Sequence, residues 1–214
     1  MNKITTILFD YDGTIMNTND VVIQSWQHTF RTVEGKERPI EFITRTFGEP
    51  LYTTMARALP QITVDEGVKI YRSFLREHYT DMISPFPGMV DLVRRLKEKG
   101  YRTGLVTSRV GETTVQGLEQ FDLHHHLDCL VTHEDTDKHK PDPEPVLIAL
   151  RKLSSTPAES IMLGDSMFDI LCAKNAGVRS VLVGWQMAVN EEEIKGPDGP
   201  DFLIEKPEDL FAIL

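Results

Sequence analysis

The chain has 214 residues, 40% hydrophobic and 26% charged, with a formal net charge of −10. This length and composition suit a globular chain of one large domain, or one domain carrying an inserted smaller one. The acidic balance, with no Lys/Arg-rich block, excludes nucleic acid and anionic membrane surfaces as expected partners, and no apolar run approaches the length needed to span a bilayer. Cys129 and Cys172 offer at most one staple, which fits a reducing compartment. No N-terminal stretch combines a basic flank, an apolar run and a small-residue cleavage site, so the expected location is cytoplasmic.

Residues 3–9, KITTILF, read as a buried strand, and the apolar run ends in Asp10-Tyr11-Asp12-Gly13-Thr14. From about residue 15 to 84 only helical patterns follow: Ile23, Trp26, Phe30 and Val33; Leu51, Met55 and Leu59; Val64, Val68, Tyr71 and Leu75. Four or so helices exceed a simple crossover, so this stretch reads as an inserted helical subdomain that closes at Ser84-Pro85-Phe86-Pro87-Gly88. Beyond it, β-branched runs at 102–107, 128–132, 160–164 and 179–183 alternate with amphipathic helical patterns. Gly100 and Gly177 stand where helix-terminating glycines belong. Strands alternating with helices specify a parallel sheet covered by helices on both faces. The acidic, Gly/Pro-rich segment Glu191–Asp201 reads as an exposed loop before a short final strand and helix.

In an open parallel sheet, ligands bind beyond the carboxyl ends of the strands. The residues at those ends are Asp10 and Asp12, then Thr107-Ser108-Arg109, then Lys140 past the third strand, then Asp165 with Asp169 one helical turn on. Each alone has an ordinary explanation: a turn, a helix cap or a solvated lysine. Their coincidence at one edge points to a phosphate site. Four carboxylates in one crevice repel one another and any dianion, and Lys140 alone does not balance them. A hard divalent cation with oxygen ligands, Mg²⁺, resolves the conflict. With it in place, one aspartate can attack phosphorus while a second, two residues on, moves protons. Thr107 and the backbone N–H groups after it can hold phosphoryl oxygens.

The motifs D10-Y-D12-G-T, Thr107, Lys140-Pro141 and G164-D165-S-M-F-D169 resemble, in order and spacing, the four motifs of the haloacid dehalogenase superfamily. The resemblance covers nearly the whole chain. It implies an α/β, Rossmann-like core formed by residues 1–14 and 86–214, with residues 15–85 inserted as an α-helical cap. It further implies that Asp10 is the nucleophile forming an aspartyl phosphate, and that Asp12 is the acid and later the base. Asp10, Asp165 and Asp12, the last through its backbone carbonyl, would hold Mg²⁺. Thr107, Ser108 and Lys140 would bind phosphate, and Asp169 would support the site near Lys140. The dehalogenase branch lacks a carboxylate at the place of Asp12, so phosphoryl transfer is implied and carbon–halogen cleavage is not.

Within the superfamily, F47-G-E-P-L51, V106-T-S-R109 and K140-P-D-P-E-P145 resemble phosphoglycolate phosphatases. Bacterial pyrophosphatases are at least as similar across Thr5–Asp12 and Lys140–Leu150. The expected activity is therefore Mg²⁺-dependent hydrolysis of a small phosphorylated metabolite by a monomer or homodimer. A β-phosphoglucomutase-like phosphotransferase is the alternative, although the histidine of that branch's first cap helix is matched here by Val22. A phosphoacceptor regulatory module is the non-enzymatic alternative. Cap residues set specificity, because the core grips only the phosphate; Arg45 and Arg109 are the candidates. His124-His125-His126 reads as a solvated loop, the two cysteines as buried thiols, Trp26 as packing within the cap and Trp185 as loop-edge packing.

Overall fold

A computed structural model describes residues 3–214; residues 1 and 2 of the expected first core segment lie outside the described residues. In chain order the elements are β1 (Thr6–Phe9), β2 (Met16–Asn17), α1 (Asn19–Glu34), α2 (Ile40–Thr44), α3 (Leu51–Ala58), α4 (Val64–Met82) and β3 (Ser84–Pro85). Then follow α5 (Met89–Glu98), β4 (Arg102–Val106), α6 (Gly111–Gln120), β5 (Cys129–Val131), α7 (Glu144–Lys152), β6 (Ser160–Gly164), α8 (Met167–Asn175), β7 (Arg179–Val183), α9 (Glu191–Lys195) and β8 (Phe202–Ile204). Short 3₁₀ turns complete the chain, among them the three histidines, none of them buried, and Pro207–Ala212 at the end.

Six strands form one parallel sheet in the order β5-β4-β1-β6-β7-β8. From β1 the chain moves to β4 and β5 on one side, then returns to the other side with β6. The strand order therefore reverses beside β1, and a crevice opens there at the carboxyl ends. The central strands β1, β4, β6 and β7 are buried on both faces, as helix-covered parallel strands must be. Period-two alternation divides their side chains: Ile7, Phe9, Leu105, Ile161 and Leu163 join one apolar cluster, while Leu8, Val106 and Met162 join the other. Helix α5 covers the first face with Met89, Leu92, Val93 and Leu96. Helices α7 and α8 cover the second with Val146, Ala149, Leu150, Cys172 and Ala173. Each fully buried Val, Leu, Ile, Phe or Met among them contributes about 1.5–3 kcal/mol.

The four helices between β2 and β3 pack chiefly on one another, α1 and α3 both against α4. Trp26 stacks on Phe30 at 5.5 Å and meets Tyr71 edge-on at 5.3 Å. Helix α4 starts with a capping box, the Thr63 side chain accepting from the Glu66 N–H and the Glu66 carboxylate accepting from the Thr63 N–H. Where the chain leaves and re-enters the sheet region, β2 and β3 pair antiparallel, Met16 opposite Pro85 and Asn17 opposite Ser84. The sequence gives no sign of this ribbon, since two residues per strand carry no readable period. The expected loop at Glu191–Asp201 contains a helical turn, α9, capped by Asn190 accepting from the Glu193 N–H. Among the described residues, no helix is long and apolar enough to cross a membrane. Both cysteines are free and buried.

Candidate active site

Strand β1 ends with Phe9, so Asp10 is the first residue past the sheet edge. The turn that follows is closed by the Gly13 N–H donating to the Met16 carbonyl and the Met16 N–H donating to the Tyr11 carbonyl, both at 2.9 Å. Gly13 has φ +72°, and a Cβ there would lie 2.0 Å from Asp165 Oδ2. Only glycine lets this turn approach the end of β6 so closely. Asp165 directly follows β6, and Asp169 lies in the first turn of α8. Thr107, Ser108 and Arg109 follow β4, and Lys140 comes from the loop before α7. All eight line one cavity of ≈ 180 Å³ between the carboxyl end of the sheet and the helical insert. That is smaller than the roughly 300 Å³ at which drug-sized pockets begin.

The floor of the cavity is a charge network. Lys140 Nζ donates to Asp10 Oδ1 and to Asp169 Oδ1, each at 2.6 Å, with all three side chains buried. The other oxygen of Asp169 accepts from the Ser166 hydroxyl at 2.6 Å and from its N–H at 3.2 Å, which also caps α8. Burial opposes the charge on Lys140, but Asp10 and Asp169 outweigh it and raise its pKa. Burial raises the Asp10 carboxyl to about 7; Lys140 offsets part of this, and Asp169 and Asp12 add to it. Burial, then Asp169 and Asp10, raises Asp165 well above the carboxylate range.

Asp12 belongs to a second network. Arg109 grips it with two prongs, Nε to Oδ2 at 3.0 Å and Nη2 to Oδ1 at 2.8 Å, and the Thr18 hydroxyl donates to Oδ1 at 2.6 Å. The Arg109 side chain is 7% exposed. Its guanidinium lies 4.8 Å from the Tyr79 ring centroid of α4, and Tyr79 shares a 2.7 Å hydrogen bond with Tyr11. Burial works against the Arg109 charge, yet Asp12 outweighs it and the pKa rises. Thr107 Oγ1 accepts the Arg109 N–H at 3.1 Å, fixing the turn after β4.

Several placements differ from the sequence reading. Arg109 lines the cavity, as expected of a substrate contact, but its guanidinium is committed to Asp12. Arg45 is not brought to the cavity: it follows α2 with an exposed side chain that reaches Glu193 and the Ala188 carbonyl, both at 3.3 Å. The Asp12 carboxylate lies outside the cluster of Asp10, Asp165 and Asp169 and is held by Arg109 and Thr18; the metal contact expected of Asp12 is through its backbone carbonyl, which this leaves untouched. Trp26 packs within the insert as expected and also lines the cavity. Trp185 packs on Phe86 at 5.7 Å and donates to the Thr14 carbonyl at 3.3 Å. Thr18 has no sequence signal of its own. It sits at the start of α1, where a threonine reads as a helix cap, but makes no capping bond.

The donor set suits a hard cation. Oxygens of Asp10, Asp165 and Asp169 lie within 4.8 Å of one another. Among the described residues, the Asp165 carboxylate and Asp10 Oδ2 receive no hydrogen bond, while Lys140 and Arg109 are two cations against four aspartates. The uncompensated carboxylates are thus the ones a divalent ion with oxygen ligands would take.

Comparison with known proteins agrees with this geometry. Residues 7–183 match the family model described as haloacid dehalogenase-like hydrolase. Pyrophosphatase PpaX of Bacillus pumilus is 35% identical over 213 residues, covering 100% of this chain and 97% of that protein. The structure of a haloacid dehalogenase-like family hydrolase from Streptococcus pneumoniae superposes with a TM-score of 0.87 at 24% identity, covering 100% of this chain and 99% of the other. A "predicted phosphoglycolate phosphatase" from Haemophilus somnus superposes with a TM-score of 0.85 at 22% identity, again covering 100% and 99%. With its motif residues gathered at one sheet edge and a family match spanning most of its length, the chain belongs to the haloacid dehalogenase-like hydrolases.

Proposed function

We propose that the protein is a Mg²⁺-dependent phosphatase acting on a small phosphorylated metabolite, with inorganic pyrophosphate the favoured substrate. The observation that carries this reading is the pair Asp10 and Asp12 at one strand end, each held by a different cation. Lys140 orients the Asp10 carboxylate through Oδ1. As the bond from an Asp10 carboxylate oxygen to phosphorus forms, the bond from phosphorus to the leaving oxygen breaks, and Asp12 gives that oxygen a proton. Water then attacks the aspartyl phosphate, Asp12 takes its proton, and phosphate leaves with Asp10 regenerated. Thr107, the Ser108 N–H and Lys140 hold the phosphoryl oxygens. Asp10 and Asp165, with the Asp12 backbone carbonyl, would hold Mg²⁺, which neutralises charge on the phosphoryl group when bound. In this reading residues 15–85 act as a cap over a core of residues 1–14 and 86–214.

Arg109 has to loosen its grip before Asp12 can protonate a leaving group, so the arrangement seen is a resting one. Pyrophosphate is favoured because the relative from Bacillus pumilus carries that activity in its name and the cavity is small. Val22 lines the cavity at the place of the mutase histidine, which weighs against the phosphotransferase alternative. The test is phosphate release from pyrophosphate, phosphoglycolate and p-nitrophenyl phosphate, with Mg²⁺ and with chelator. The expected result is Mg²⁺-dependent release that Asp10→Asn abolishes; release that survives this substitution would overturn the assignment.

A further inference from the structure

The charged residues that line the cavity balance unevenly. Its carboxylates are Asp10, Asp12, Glu49, Asp165 and Asp169, and its cations are Lys140, Arg109 and Arg72. Lys140 is taken by Asp10 and Asp169, and Arg109 by Asp12. Glu49 is taken by Arg57, from outside the cavity, at 2.6 Å and by the Thr54 hydroxyl at 2.7 Å. Arg72 is left. Among the described residues that line the cavity, it is the one cation without a carboxylate partner.

Arg72 is half-buried on α4, between Tyr71 and Leu75, which line the same wall. Its contact is with an aromatic ring, its guanidinium lying 5.6 Å from the Tyr52 centroid. That separation is within cation–π range and steadies the side chain without neutralising it. Val22, Trp26 and Phe47, with Tyr71 and Leu75, form the apolar part of this wall, and its one carboxylate, Glu49, is held by Arg57. A half-buried guanidinium on such a wall offers a planar set of donors suited to phosphate or carboxylate. Meanwhile every other cation of the cavity is engaged at the floor.

We propose that Arg72 is the specificity-determining residue of the cavity, binding a second anionic group, phosphoryl or carboxylate, on the part of the substrate that does not react. The assignment rests on the phosphatase reading and narrows it. The preferred substrates are small compounds with two anionic ends, and a neutral leaving group forgoes this contact. Such binding energy, taken from a remote part of the substrate, is what separates one phosphorylated compound from another when the floor treats every phosphoryl group alike.

The test compares kcat/KM for pyrophosphate, phosphoglycolate and p-nitrophenyl phosphate in wild type, Arg72→Gln and Arg72→Lys, all with Mg²⁺. A lost charge-assisted contact predicts that Arg72→Gln lowers the preference for a doubly anionic substrate over p-nitrophenyl phosphate by roughly tenfold or more, chiefly through KM. Arg72→Lys restores part of that preference. A loss confined to pyrophosphate identifies the second group as phosphoryl, and one confined to phosphoglycolate identifies it as carboxylate. Equal loss with all three substrates makes Arg72 structural and overturns the proposal, as does an unchanged preference. Calorimetric titration with methylenediphosphonate, which cannot be hydrolysed, gives a readout independent of turnover. Affinity weakened about tenfold in Arg72→Gln supports the assignment with a phosphoryl second group, and equal affinity overturns it unless the loss in turnover is confined to phosphoglycolate. Absence of turnover in the wild type would remove the phosphatase reading and leave this binding comparison to decide the role of Arg72.

Discussion

On the floor of the cavity, polar groups are tied to one another by short charged bonds: Lys140 to Asp10 and Asp169, Ser166 to Asp169, Arg109 and Thr18 to Asp12. The helical wall above it is aromatic and aliphatic, with Val22, Trp26, Phe47, Tyr71 and Leu75, and its aromatic contacts are interactions of rings at 5 Å or more. The floor holds Asp10, Asp12 and Asp169 in place by hydrogen bonds to at least one carboxylate oxygen of each. The wall fixes only a shape and one charge. In the proposed reading, chemistry that is the same for every substrate belongs to the sheet edge, and selection among substrates belongs to the insert.

Substitutions separate the two regions, and the largest effect should come from the floor. Asp10→Asn is expected to lower turnover by at least about a thousandfold, as loss of a nucleophile does, with KM for pyrophosphate altered far less. Lys140→Met comes next. It leaves Asp10 and Asp169 buried without their cation, and breaking such a pair costs about 3–5 kcal/mol. Urea denaturation should show that loss, and added Mg²⁺ should recover part of it.

A third expectation concerns metal removal and pH. Asp10 and Asp165 both have folded-state pKa values raised above their unfolded values, Asp10 to about 7. For groups raised in this way, the stability they contribute is full below the unfolded value and is lost as pH rises through the folded one. The chelated protein should therefore lose thermal stability from the ordinary carboxylate range up to about pH 7, the folded-state value at Asp10. Each kcal/mol moves Tm by roughly 2–4 °C for a chain of this size. Added Mg²⁺ should raise Tm more at the upper end of that window than at the lower end, which scanning fluorimetry checks. The smallest effect is expected outside the cavity. Arg45→Ala removes an exposed pair with Glu193 and should change stability by no more than about 1 kcal/mol, with kcat/KM unchanged. A large loss of activity there would break the division between floor and wall.

The same division explains what could be read from the chain alone. Asp10, Asp12, Thr107, Lys140, Asp165 and Asp169 were legible because each follows a strand whose apolar run is easy to see, and parallel topology sends strand ends to one edge. The wall was not legible. Trp26 and Tyr71 carry the same period whether they pack only within the insert or also line a cavity, and both do the two at once. Arg109 was placed correctly at a strand end, but its bidentate hold on Asp12 spans 97 positions, and no local pattern encodes it. Neither Arg45, just past α2, nor Arg72, on α4, carries a local pattern that tells their placements apart. Their difference, one drawn to Glu193 and the other left in the cavity, arises only from how the insert packs.

The central claim, that Asp10 attacks phosphorus at this sheet edge, is tested most directly by trapping the intermediate. Wild-type protein mixed with substrate and Mg²⁺, quenched rapidly in acid and examined by mass spectrometry of its peptides, should carry a phosphoryl adduct on the peptide holding Asp10, and Asp10→Asn should carry none. Turnover with no adduct, or with the adduct on another residue, would contradict the account.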